Sequence, residues 1–415
     1  MSDRSHSPAH RPPKHRTDIR APQMVLGAIF VAHALLFASW TAHIPLVMSQ
    51  LGMTNAMLGT ALLGAPLGSV AAMGVTGWLL PRVGSRSMIR ITMVGYAFGS
   101  IGVGVAGSPT LLFGALAVWG FFQGALDVAM NTQAVTVENA VNRPIMARLH
   151  GMWSLGGFVG ALIGAGVVAI GIDLTTQMIV LGLSALLMVE FLSTALLFDS
   201  TRRTNDPSRP LRRPDTGQRV PFWPILILGL LAFASMLCEG AAADWSAAYL
   251  RAELHTGNAV AGLGYAAFAL AMVALRLTAT TLQTRFAARN LIPTLAMLFA
   301  AGMVVSLVAA QPVIALIGFA CMGAGLALVV PTAFSAVGTI GNNGTNSNAG
   351  RAISIVSALG WLGFVSGPPL IGYLAEWTSL TTALWVLPAL ALSIAAVARF
   401  GRVFRATPTP VTAGV

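Results

Sequence analysis

Arg148–Gly164 reads RLHGMWSLGGFVGALIG, and Arg351–Gly367 reads RAISIVSALGWLGFVSG. Laid over one another, they share a leading arginine (Arg148, Arg351), a serine (Ser154, Ser357) and three glycines, with Gly157, Gly160 and Gly164 over Gly360, Gly363 and Gly367. The same separation relates Asn55-Ala56…Gly59 to Asn258-Ala259…Gly262, and Arg82 and Arg86 to Arg285 and Arg289. With a two-residue slip, Ala38-Ser39-Trp40-Thr41-Ala42 matches Ala243-Asp244-Trp245-Ser246-Ala247. Chance can supply one such match, not four, so the chain is an internal repeat.

Outward from these stretches the chain is a series of apolar segments, each close to the roughly 20 residues that cross a bilayer core. The first set is 23–48, 55–80, 88–107, 110–137, 149–171 and 174–198; the second is 222–250, 258–283, 291–310, 312–337, 352–374 and 380–400. Each repeat therefore holds six spans. An even number of crossings returns the chain to its starting side, so the repeats run parallel, related by an axis normal to the membrane. The expected fold is an all-α membrane protein of twelve transmembrane helices in two six-helix halves around a central cavity. The halves are 21–198 and 222–400, joined by linker 199–221 and flanked by tails 1–20 and 401–415.

Composition narrows the function. Of 415 residues 56% are hydrophobic and 9% charged, with a mean hydropathy of +0.77, whereas a soluble domain carries roughly 25% charged residues. The only lysine, Lys14, lies in the N-terminal tail. This excludes a P-loop, whose GK[ST] lysine holds phosphates, and any Schiff-base lysine within the membrane. Cys238 and Cys321 sit in apolar runs, where they pack as small hydrophobes. No zinc-binding HExxH helix is present, which argues against a membrane-embedded enzyme, and no cofactor is expected. The net charge of +11 reflects singly dispersed arginines, so nucleic acid is not an expected partner.

Those arginines set the orientation. All but Arg251 and Arg276 of the 24 basic residues fall in the tails, the central linker or the connections on one side. Cytoplasmic loops collect such residues, so both termini are expected in the cytoplasm. Asp199–Pro221 contains six arginines with Pro207, Pro210 and Pro214 and reads as a linker that buries no core. The loop Gly338–Gly350 reads the same way.

Gly77–Arg86 (GWLLPRVGSR) is similar to the G-x-L-x-D-R-x-G-R-R signature of the major facilitator superfamily, which the chain resembles over roughly residues 21–400. Pro81 stands where that signature has an aspartate. The resemblance implies a secondary transporter, with Arg82 and Arg86 in a gating loop and spans one, four, seven and ten lining the cavity. Three stretches, Trp40–Pro45 (WTAHIP), His150–Gly157 (HGMWSLGG) and Glu239–Arg251 (EGAAADWSAAYLR), look like the MosC-like branch, in which an arginine is usual at the place of His43.

Ionisable groups within spans cost roughly 2.5–3.5 kcal/mol each on insertion scales, so they ask for a pathway or a partner. Five stand out: Asp127, Glu190, Glu239, Asp244 and Arg276. Gln123, Asp127 and Asn131, four apart, drift about 40° per step and form one polar stripe, expected on the cavity face. Asp127 and Glu239 are the candidates for proton coupling, with a hydrogen-bonded structural carboxyl as the alternative at each. Asp244, five residues beyond Glu239 and about 140° round the helix, is read as a gate residue nearer the outer end, or an interfacial one. Trp40 and His43 pair at i, i+3 as a stacking surface beside a titratable donor, with Trp245 as the counterpart of Trp40; both tryptophans equally suit an aromatic belt. Pro45 is expected to kink the first span, and His33 reads as a packed, satisfied histidine. Arg276 is read as pairing with Asp127 across the halves, with snorkelling or a pair with Glu190 as alternatives.

The expected activity is secondary transport of a small polar, sugar- or polyol-like solute by alternating access, coupled to protons, in a monomer of the plasma membrane. Efflux of a drug or amphiphile is the nearest alternative, and a non-transporting sensor or scaffold the alternative of another class.

Overall fold

A computed structural model describes residues 20–141, 145–198, 222–341, 346–401 and 404. The linker 199–221 and most of both tails lie outside the described residues, as does part of the 338–350 loop. Every element among the described residues is helical, as lipid requires of a chain that must satisfy its own backbone hydrogen bonds.

Among the described residues eleven helices are long and apolar enough to cross a membrane: Ala21–Gln50, Asn55–Val83, Pro109–Glu138, Arg148–Ala169, Leu174–Ala195, Phe222–Ala252, Asn258–Leu277, Ala288–Ala309, Pro312–Val337, Ile355–Trp377 and Leu380–Phe400. Ser85–Gly104, which carries Arg86 and Arg90, is the third of the twelve in chain order. It starts three residues before the expected 88, because Gly84 at φ 79° ends the preceding helix and opens the next; that backbone region strains any residue with a Cβ. The eighth span ends at Leu277, short of the expected 283, and a separate short helix, Ala279–Arg285, follows. In the first span a 3₁₀ turn at Thr41–His43 interrupts the helix. Pro45 in the next turn has no N–H to give the Thr41 carbonyl, which accepts from the Ile44 N–H instead, so the disturbance expected at Pro45 takes the form of this 3₁₀ turn.

Packing follows the repeat. Span one lies on five, two on four, three on four, and three on six; seven lies on eleven, eight on ten, nine on ten, and nine on twelve. The two sets meet where span five crosses eight and span two crosses eleven, so the parallel repeat read from sequence is the architecture observed. Small residues set these distances. A methyl group added at Gly156, Gly160 or Gly164 would meet the carbonyls of Val31, Leu35 and Ser39, four apart along span one. Gly363 meets the Phe233 carbonyl in the same way in the second half.

The repeated Asn-Ala…Gly motif finds its reason here. Gly59 lies against the Pro368 carbonyl and Gly372, and Gly262 against Ala42 and Ala165. The two glycines thus make equivalent close crossings between the halves, on the side away from where span one begins. On that far side the Ala56 N–H also donates to Glu376 at 3.3 Å, and Thr60 bonds Tyr373 at 3.2 Å.

Candidate substrate cavity

Between the halves lies a cavity of about 280 Å³. Span one contributes His33, Phe37 and Trp40; span four Trp119, Gln123 and Asp127; span five His150 and Trp153; span seven Glu239 and Asp244; span eight Tyr265 and Arg276; span eleven Trp361 and Phe364. Three carboxylates, one guanidinium and two imidazoles thus face a space walled by aromatic rings and small aliphatic residues. A volume of this size suits a small organic molecule.

Of the expected polar stripe, Gln123 and Asp127 reach the cavity. Asn131 does not: its Nδ2 turns back to donate to the Asp127 carbonyl at 2.8 Å and to Oδ1 at 3.2 Å. It holds the Asp127 carboxyl and does not line the site, which corrects the expectation of a substrate contact.

His43 also departs from expectation. It is buried outside the cavity, its Nε2 donating to Gln177 Oε1 at 3.0 Å while Gln177 Nε2 donates to the Ser39 carbonyl at 2.9 Å. A buried imidazole needs partners, and Gln177 of span six supplies one, drawing the ring into the first half. Trp40 lines the cavity, but its neighbours on the wall are Phe37 and His33 on the same helix face. Trp245 is fully buried and stands off the cavity wall, so it is a packing residue.

His33 is satisfied on both nitrogens. Trp153 Nε1 donates to Nδ1 at 3.0 Å, and Nε2 lies 3.2 Å from the Gln123 carbonyl. Tyr96 donates to the His33 carbonyl at 3.0 Å and stacks on the ring, with Trp119 stacked behind it.

Glu239, Asp244 and Arg276 all reach the cavity. Arg276 pairs with neither Asp127 nor Glu190: its Nη1 donates to Ser154 Oγ at 2.8 Å and its Nε lies 3.4 Å from the Ala327 carbonyl. Glu190 instead bridges Arg90 at 2.6 Å near the surface. Arg82 lies over the Trp78 ring and donates to the Trp78 carbonyl, and Arg86 lies over Phe198. With Pro81 in place of an aspartate, both stack on apolar rings, and among the described residues neither makes the cross-half contact that a gate residue requires here.

Trp119, Trp153, Trp361, Phe37, Phe364 and Tyr265 were not legible as site residues. Aromatic residues are spread along most spans, and only tertiary packing separates cavity from core. One signal was present: His33, Phe37 and Trp40 follow the four-then-three spacing of a single helix face.

The sequence profile of the Major Facilitator Superfamily matches residues 25–338 and 228–414. The chain belongs to that superfamily. It is 31% identical over 375 residues to an uncharacterized MFS-type transporter of Yersinia pestis, covering 90% of this chain and 93% of the relative. It is 30% identical over 371 residues to membrane protein MosC of Rhizobium meliloti, covering 89% and 88%. Among solved structures, a D-xylose-proton symporter superposes with a TM-score of 0.75 at 12% identity, over 92% of this chain and 97% of that one. Family and fold are those of a multi-pass membrane transporter and not of an enzyme.

Proposed function

We propose that this superfamily member carries a small polar organic solute, sugar- or polyol-like, across the plasma membrane by alternating access, with proton coupling through Asp127 or Glu239. The observation that carries the reading is a cavity lined from both halves, where carboxylates stand among stacking rings. Rings such as Trp40 and Trp361 offer flat faces to a sugar or polyol ring, and Gln123 offers hydrogen bonds. The far side is closed by the Gly59 and Gly262 crossings, so rocking of 21–198 against 222–400 would expose the cavity alternately. The distribution of arginines favours cytoplasmic termini. A monomer is the expected functional unit.

The apolar share of the wall, with Phe37, Trp153 and Phe364, also favours efflux of an amphiphile as a second reading. One screen separates them. Thermal stabilisation of the purified protein is measured against inositols, sugars, amino compounds and common drugs over a range of pH, for wild type and Asp127→Asn. Polyol hits that weaken in the mutant support the first reading. Hits confined to hydrophobic cations overturn it in favour of the second, and no saturable transport of any hit in proteoliposomes overturns both.

A further inference from the structure

Arg276 joins three elements. Pro331, just inside the second segment of span ten, has no N–H, so the Ala327 carbonyl four residues earlier loses its helical donor and the helix breaks between Leu326 and Val329. The Arg276 Nε supplies the missing donor from span eight at 3.4 Å. Its Nη1 reaches across to the other half, to Ser154 Oγ, whose own hydrogen is committed to the His150 carbonyl at 3.1 Å. Both acceptors are neutral.

Among the described residues the guanidinium therefore has no counter-ion within bonding distance, while Glu239, on the same cavity wall, has no hydrogen-bond partner there either and lies within Coulomb range of it. An ionised carboxylate in a low-dielectric site attracts a nearby guanidinium far more strongly than two neutral oxygens do. From this juxtaposition we infer that Arg276 is a positioning residue with two stations: on Ser154 and the Ala327 carbonyl when Glu239 is neutral, and on Glu239 when it is charged. Moving to Glu239 breaks the link to span five and reopens the Pro331 break, so Val329–Gly341 is free to swing as a hinged segment.

The other groups facing Arg276 set the conditions. His150 of span five lies within its electrostatic range. Tyr265, three turns back on span eight, interacts with Glu239, Asp244 and Arg276, and Asp127 shares the cavity. A positive charge on His150 repels the guanidinium and favours the Glu239 station. An ionised Asp244 or Asp127 competes for it from other directions.

This inference rests on the alternating-access reading, and its test needs neither substrate nor transport. Spin labels are placed at Arg148→Cys and Thr284→Cys, both exposed positions at the same end of spans five and eight, in a chain carrying Cys238→Ala and Cys321→Ala. Distances are measured in nanodiscs between about pH 5 and about pH 9. The expected wild-type result is two distances whose ratio shifts with pH. Glu239→Gln holds the shorter distance at every pH, and Ser154→Ala removes the shift. Arg276→Lys, which keeps the charge but cannot serve two acceptors at once, keeps a weakened shift, with unfolding temperatures measured for each variant to confirm folding. A single wild-type distance at all pH values, or a shift that survives in Glu239→Gln or Ser154→Ala, overturns the inference. If the shift behaves as expected while proteoliposomes carry no solute, the transport reading fails and the switch stands.

Discussion

Trp153 Nε1 donates to His33 Nδ1 across 3.0 Å, from span five to span one. An indole nitrogen can only donate, so Nδ1 carries no hydrogen, Nε2 does, and it donates to the Gln123 carbonyl at 3.2 Å. The first bond thus defines a neutral tautomer, and the two together tie three cavity-lining spans. Trp153→Phe is expected to keep the ring's packing and lose the donor, lowering stability by about 1 kcal/mol; His33→Ala, which leaves the Trp153 N–H without its acceptor, is expected to cost about 1–3 kcal/mol. Thermal unfolding with and without a cavity ligand checks both, and the order of the two losses is the decisive feature.

His43 makes the opposite case. Its partner is Gln177, away from the cavity, so His43→Ala should destabilise the fold by about 1–3 kcal/mol through the unpaired Gln177 oxygen. Solute affinity per folded molecule should stay within about twofold. A large loss of affinity in a fully folded variant would return His43 to the site.

Two glycines three residues apart should respond in opposite directions. At Gly160 an added methyl runs into the Leu35 carbonyl, whereas at Gly157 it meets nothing within 4 Å. Gly160→Ala is expected to cost about 1–3 kcal/mol by forcing spans one and five apart. Gly157→Ala should be neutral or stabilising by up to about 1 kcal/mol, since alanine is the better helix former. Unfolding temperatures of the two variants in one detergent decide it.

Asp173 caps the sixth span, accepting from the Thr176 N–H at 2.9 Å and its hydroxyl at 2.7 Å. These bonds, led by the backbone one, hold its carboxyl below the usual carboxylate range. Because the folded value lies under the unfolded one, the contribution is fully present above the ordinary aspartate range and fades as pH falls through it. Asp173→Ala should therefore be less stable than wild type at neutral pH, with the gap narrowing below about pH 4. Paired melts at the two pH values test this, and a gap that widens in acid would contradict the capping role.

Much of the fold was legible because lipid imposes a simple rule: a crossing needs a long apolar helix, and six such runs written twice leave few alternatives. The Asn-Ala…Gly motif was legible as a repeat, but that its glycines make the far-side crossings, against Gly372 and Ala165, came only from the tertiary structure. The site was legible only in part. Gln123, Asp127, Glu239, Asp244 and Arg276 are polar in an apolar field and so announced themselves, and all reach the cavity. His43 and Asn131 were equally conspicuous, yet each satisfies a neighbour elsewhere.

What sequence alone determined is therefore the number of spans, their parallel duplication and which few polar groups had to find partners, since each follows from the cost of placing chain and charge in hydrocarbon. What only the tertiary structure decided is which partner each group found. Helix rotation about its axis, the 3₁₀ turn at Thr41–His43 and the Pro331 break set where side chains point. Those angles are fixed by contacts between spans far apart in the chain, such as Arg276 with Ser154 and His33 with Trp153.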